Sequence, residues 1–152
     1  MPAMPTPVGG NNLPNRRLRI LVVDDDREGR IALGMLLRQA GMDVALAGSV
    51  PEARRSLERT APDAVLSDLV MPEEDGFALL GALREKESQV GRHIPTFAIS
   101  ALSDPEIQRR ASEEGFDAYF VKPCDFQEVF GKLTRLATAG SIGKASRVPR
   151  MG

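Results

Sequence analysis

The chain has 152 residues, a length that suits one domain, and its 42% hydrophobic and 27% charged residues admit a packed core. No run approaches the roughly 18 apolar residues of a membrane span. The N-terminal MPAMPTPVGGNNLPNRR has no secretory apolar stretch, and the lone Cys124 forms no internal disulfide, so a cytoplasmic setting without membrane insertion is expected. The net charge of −1 is uneven. All 21 acidic residues lie between Asp24 and Glu128, and residues 20–137 set 14 basic residues against them, a net of −7. That balance argues against direct contact with nucleic acid.

Residues 1–15 hold four prolines, two glycines and three asparagines and are expected to form a disordered N-terminal tail. The domain is expected over residues 16–137. A first strand at Leu18–Val23 runs into Asp24-Asp25-Asp26, and Asp26 is expected to cap the helix that follows. Gly41 stands where that helix would end in a left-handed residue. A second strand, Val44–Ala47, precedes Ser49-Val50-Pro51-Glu52, which reads as a capping box with proline in the first turn. A third strand, Ala64–Leu66, ends in Ser67-Asp68. In the PEEDG stretch beyond it, Asp75-Gly76 reads as a cap and turn, and Glu73 and Glu74 as loop charges. His93, the only histidine, precedes a fourth strand, Thr96–Ile99, and is expected at the surface. After Ser100-Ala101, a second capping box is expected at Ser103-Asp104-Pro105-Glu106. Its helix offers only Ile107 and Ala111 to a core before Gly115, and so few apolar contacts imply low local stability. A fifth strand, Ala118–Val121, leads to Lys122-Pro123. Asp125 and Glu128 open a last helix whose apolar residues, Phe126, Val129, Phe130, Leu133, Leu136 and Ala137, keep one face. Residues 138–152 are expected to be a flexible basic C-terminal tail.

Five β/α units in succession define an α/β domain with a parallel sheet covered on both sides. Ligands of such sheets bind at the carboxyl ends of the strands. There the sequence places Asp24, Asp25 and Asp26, then Asp68, Ser100 and Lys122. Carboxylate oxygens suit a hard cation such as Mg²⁺. Lysine supplies a point charge for phosphate, and a carboxylate can accept a phosphoryl group.

With these motifs in order, LVVDDD (21–26), LSDLVMPEEDG (66–76), ISA (99–101) and YFVKP (119–123), the chain resembles the receiver domains of two-component response regulators, of the stand-alone chemotaxis type or the hybrid-kinase type. The resemblance covers roughly residues 18–137. It implies a flavodoxin-like, doubly wound (βα)5 fold with strand order 2-1-3-4-5. It implies that Asp68 is the phosphoacceptor, and that Asp24 and Asp25 hold Mg²⁺ together with Asp68 and the backbone carbonyl of Val70. Lys122 would pair with Asp68 and then with the phosphate, across a cis Lys122–Pro123 bond. Ser100 would be the switch hydroxyl and Tyr119 the aromatic switch. The expected donor is a histidine kinase or histidine phosphotransfer protein. A downstream protein would bind the face made by the fourth helix, the fifth strand and the last helix, and the chain would be a monomer or a phosphorylation-dependent dimer. It would be a signalling switch rather than an enzyme, with no output domain of its own.

Two positions depart from what a fast-hydrolysing site needs. Val70 and Leu102, two residues after Asp68 and Ser100, would flank the phosphoryl group. Both are apolar, so neither can orient a water, and a long-lived phosphoryl group is expected. Cys124 reads as a small hydrophobe. An aspartyl phosphatase of the haloacid-dehalogenase type is a competing reading, since Asp24-x-Asp26 matches half of its signature. Glu28 stands where Thr or Val is needed, and there is no room for a cap domain. A degenerate receiver that only binds a partner would lack signature side chains that are present here. A dinucleotide site would need G-x-G-x-x-G after the first strand.

Overall fold

The computed structural model describes residues 17–72 and 74–142. The N-terminal tail expected over residues 1–15, the loop charge Glu73 and the last ten residues of the expected C-terminal tail lie outside them. Strands and helices alternate throughout: β1 (Arg19–Val23), α1 (Arg27–Gln39), β2 (Asp43–Ala47), α2 (Val50–Arg59), β3 (Ala64–Ser67), α3 (Gly76–Val90), β4 (Thr96–Ser100), α4 (Pro105–Glu114), β5 (Ala118–Val121) and α5 (Phe126–Ile142). The last helix thus runs beyond residue 137, where the sequence reading closed the domain. No helix among the described residues is long and apolar enough to cross a membrane.

The strands are all parallel, in the order β2-β1-β3-β4-β5. This is the expected doubly wound, flavodoxin-like sheet. The central strands β3 and β4 are buried along their whole length, and β1 from its second residue. That explains why they read as apolar runs without alternation. Side chains of successive strand residues point to opposite faces, and two cores result. On one face Leu21, Val23, Val65 and Ala98 pack with Ala53 and Leu57 of α2, Leu79 and Leu83 of α3, and Ala111 of α4. On the other, Ile20, Val22, Leu66, Phe97 and Ile99 meet Leu37 of α1 and Val129, Leu133 and Ala137 of α5.

The helix starts agree with the sequence in part. Ser49 Oγ accepts from the amide of Glu52, and the Glu52 carboxylate reaches back to the Gly48 amide at 2.6 Å. Asp75 caps α3, accepting from the amides of Phe77 and Ala78. At α4 the cap is Asp104, not Ser103. Pro105 is already the first helical residue, so the neighbouring Asp104 carboxylate is the group in reach of the Glu106 amide, at 2.9 Å. Asp26 occupies the position before α1 but makes no side-chain cap bond. Its own amide donates to Asp24 Oδ1 at 2.9 Å. Glu74 is more than a loop charge, because its carboxylate accepts both guanidinium nitrogens of Arg54, at 3.0 and 3.2 Å.

His93 departs most from expectation. It is half-buried at the approach to β4, with Nδ1 2.8 Å from Glu87 Oε2 and Nε2 3.0 Å from Asp117 Oδ2. Its partners lie six residues before it and 24 after it, so only the folded sheet brings the second one near.

Candidate functional site

Strand register places the site. Val23 at the end of β1 lies beside Ala47 of β2 and Ser67 of β3, so the next residues, Asp24 and Asp68, emerge side by side. The Asp24 amide donates to the Ala47 carbonyl at 3.1 Å, and the Asp68 amide to the Val23 carbonyl at 2.9 Å. Ser100 pairs with Val121, and the Lys122 amide donates back to the Ser100 carbonyl at 2.8 Å. The Lys122–Pro123 peptide is cis.

Asp24, Asp25 and Asp68 each offer an oxygen within 4.8 Å of the other two. Asp24 is buried, Asp68 partly buried and Asp25 exposed. The Lys122 ammonium lies between two of them, donating to Asp24 Oδ2 at 3.0 Å and to Asp68 Oδ2 at 3.1 Å. Burial alone would push the Lys122 pKa down. Its hydrogen bonds to Asp24 and Asp68, and their charge, outweigh that and hold it above the ordinary lysine value. One ammonium against three carboxylates leaves negative charge over, and the free donors are oxygens. That donor set fits a hard divalent cation, which completes its shell with water and phosphate oxygens.

Other expected residues stand at the edge of this cluster. The Val70 amide donates to Asp68 Oδ1 at 3.2 Å, and its side chain is 57% exposed. Ser100 is fully buried, and its hydroxyl is occupied away from the carboxylates, accepting from the Leu102 amide at 3.1 Å. The Tyr119 hydroxyl donates to the Leu102 carbonyl at 2.7 Å. Ser100 and Tyr119 therefore hold the two ends of one residue. Cys124 packs half-buried against the α5-side core, and burial pushes its thiol pKa up. A cleft of about 620 Å³ between α1 and α5, lined in part by Leu33, Leu36 and Phe126, opens beside Asp24, Asp68 and Lys122.

Two supporting contacts were not legible in the sequence. Arg30 of α1 donates from Nη1 to the Asp24 carbonyl at 2.9 Å and so braces the loop that carries the acidic pair. Its place one turn into α1 was the only available hint. Gly76 donates its amide to the Leu69 carbonyl at 2.9 Å. A Cβ there would overlap the Asp68 carbonyl oxygen and sit 3.0 Å from Leu69 Cα. The Asp-Gly pair signalled a turn, but not that the turn closes on Asp68.

Fold and site together define a doubly wound α/β domain with an acidic cluster and a lysine at the carboxyl edge of its parallel sheet. The chain belongs to the response regulator receiver domain family, whose model matches residues 20–134. It is 39% identical over 109 residues to a 14.6 kDa protein of Leptolyngbya boryana, covering 72% of this chain and 82% of that one. It is 36% identical over 118 residues to the transcriptional regulatory protein PrrA of Mycobacterium bovis, covering 78% of this chain but only 49% of that regulator. Among solved structures, the chemotaxis protein CheY4 of Vibrio cholerae superposes with a TM-score of 0.72 at 27% identity, over 79% of this chain and 98% of that one. Membership makes phosphorylation-dependent signalling the role of the domain, and removes the phosphatase and dinucleotide readings.

Proposed function

We propose that this chain is a switch that takes a phosphoryl group onto Asp68 from a histidine kinase or histidine phosphotransfer protein. The observation that carries this reading is the meeting of Asp24, Asp25 and Asp68 within 4.8 Å, with Lys122 bonded to two of them. Asp24, Asp25, Asp68 and the Val70 carbonyl would hold Mg²⁺, which when bound offsets charge on the phosphoryl oxygens.

Asp68 is the best-placed acceptor. Its backbone is fixed between Val23 and the Gly76 turn, and its carboxylate is oriented by the Val70 amide and Lys122. A carboxylate oxygen forms the bond to phosphorus as the donor's P–N bond breaks, and the imidazole leaves with the electron pair. Lys122, already shared with Asp24, stays on the more negative product. The Ser100 hydroxyl then turns from the Leu102 amide to a phosphoryl oxygen. Leu102 is also the residue Tyr119 holds, so movement at position 100 is passed to position 119 through one residue. The output is a changed surface over α4, β5 and α5 that a downstream protein reads, in a monomer or a phosphorylation-dependent dimer. The weak anchoring of α4, where Ala111 is the one buried residue, supports this choice of face.

The test is intact mass after incubation with a small phosphodonor and Mg²⁺. The wild-type chain gains one phosphoryl group, whereas Asp68→Asn, or removal of Mg²⁺ by chelation, prevents the gain. No gain in the wild-type chain would end this reading.

A further inference from the structure

The end of the domain opposite the acidic cluster holds a charged group that the phosphoryl chemistry does not use. The His93 ring lies between two carboxylates, Glu87 Oε2 at Nδ1 (2.8 Å) and Asp117 at Nε2 (3.0 Å). A neutral imidazole has one N–H, so one of these contacts would set a lone pair against an anion. Only the imidazolium donates to both. The carboxylates are not free to turn away. Glu87 Oε2 also accepts from the Ile94 amide at 2.9 Å, and Asp117 Oδ2 from the Thr96 amide at 2.8 Å. Moving either would strip a partner from an amide at the buried start of β4.

Glu87 belongs to α3, and Asp117 to the loop that leaves α4. His93 therefore ties the C-terminal end of α4 to α3. Arg84 of α3 adds a second tie, donating to the Glu114 carbonyl at the last turn of α4. Burial would push the Glu87 carboxyl up, but the His93 hydrogen bond, then the Ile94 amide, the His93 charge and last the Arg84 charge hold it below its ordinary value. Arg92, next in the chain to His93, is turned away to the Pro62 carbonyl and Asp63. Beside these, α4 is held by Ala111, by half-buried Ile107 and by Arg110, which stacks 3.8 Å from the Phe77 ring centroid, and the turn after it by buried Phe116, edge-on to Phe77 at 5.7 Å, and by the Asp117 amide, which donates to the Thr96 carbonyl at 2.7 Å.

We propose that His93 is the pivot of α4: as an imidazolium between Glu87 and Asp117 it fastens the C-terminal end of α4 to α3, and loss of its proton loosens that end. Hydrogen bonds to Asp117 and then Glu87, opposed by burial, push its pKa up to about 9, so the clamp is closed at neutral pH and opens in alkali. The opposite end of α4 follows the Leu102 loop held by Ser100 and Tyr119. A phosphorylation signal entering there would swing α4 against a fixed point. That consequence rests on the proposed function, but the pivot itself does not.

His93 is the single histidine of the chain, so its ring is directly readable by NMR in the unphosphorylated protein. The ring of the wild type should titrate near 9 rather than near the unperturbed value of 6.5. The methyl signals of Ile107 and Ala111 should shift with the same midpoint. In Asp117→Asn the ring midpoint falls by about one pH unit or more. In His93→Gln the two methyls sit at the alkaline position of the wild type at every pH, and α4 amides exchange about fivefold faster at pH 7. A ring midpoint near 6.5, or α4 methyls that ignore the ring, overturns the proposal. Should His93→Gln not fold, the wild-type and Asp117→Asn titrations decide alone. No phosphodonor enters this experiment, so its failure and a failure of phosphorylation at Asp68 are separate results.

Discussion

Lys122 holds two carboxylates at once, and that sets what its loss does. Lys122→Gln keeps a donor but removes the charge that offsets Asp24 and Asp68. Phosphorylation by a small phosphodonor should slow by about tenfold or more, and an unchanged rate would show that the ammonium is not used. Gly76 acts on the same acceptor through the backbone. In Gly76→Ala the new methyl meets the Asp68 carbonyl and Leu69 Cα, neither of which is a side chain that can rotate aside. Denaturant unfolding should show a loss of about 1–3 kcal/mol, with a matching fall in phosphorylation yield. Val70 and Leu102, 57% and 38% exposed, offer no hydrogen bond to a water. The double variant Val70→Asn, Leu102→Glu should lose its phosphoryl group faster, because both new side chains can orient a water by hydrogen bonding. Equal or slower loss contradicts the reading of those two positions.

At the scale of elements, the helices differ in how they are held. Helix α5 buries Val129, Leu133 and Ala137 in the core. Leu133→Ala should cost about 2–5 kcal/mol in global unfolding. Helix α4 buries one alanine and is secured by charged contacts to α3. Much of this arrangement was legible before the fold was in hand. Strands are short apolar runs, and the residues that matter follow them directly, so Asp24, Asp68, Ser100 and Lys122 could be placed by counting along the chain. The Ser103/Asp104 choice was not legible, because both side chains can cap and only the position of Pro105 in the helix separates them. Nor were the links between distant residues. Arg54 meets Glu74 across 20 residues and His93 meets Asp117 across 24. A lone histidine before a strand has no local pattern that announces its partners.

For the whole molecule, charge is the organising quantity. Mg²⁺ held as proposed by Asp24, Asp25 and Asp68 would favour the folded cluster over the dispersed carboxylates of the unfolded chain, so at ten times its dissociation constant it should add about 1.4 kcal/mol to stability. Asp25→Asn should abolish most of that gain in thermal unfolding with and without Mg²⁺. The pH dependence has the opposite origin. The folded His93 pKa of about 9 lies above the ordinary 6.5, so its stabilisation is fully present below pH 6.5 and is lost as pH rises through about 9. The side chain is 37% exposed, so solvent screening reduces the effect to about 1 kcal/mol. The stability difference between the wild type and His93→Gln should shrink by that amount from pH 6.5 to pH 10.

The central claim, that Asp68 receives the phosphoryl group, is tested most directly by locating the group. The phosphorylated chain is trapped by borohydride reduction, digested and mapped by mass. A reduced label is expected on the peptide carrying Asp68 and none on the peptide carrying Asp24 and Asp25. A label at Asp24 or Asp25, or a labelled Asp68→Asn chain, would contradict it.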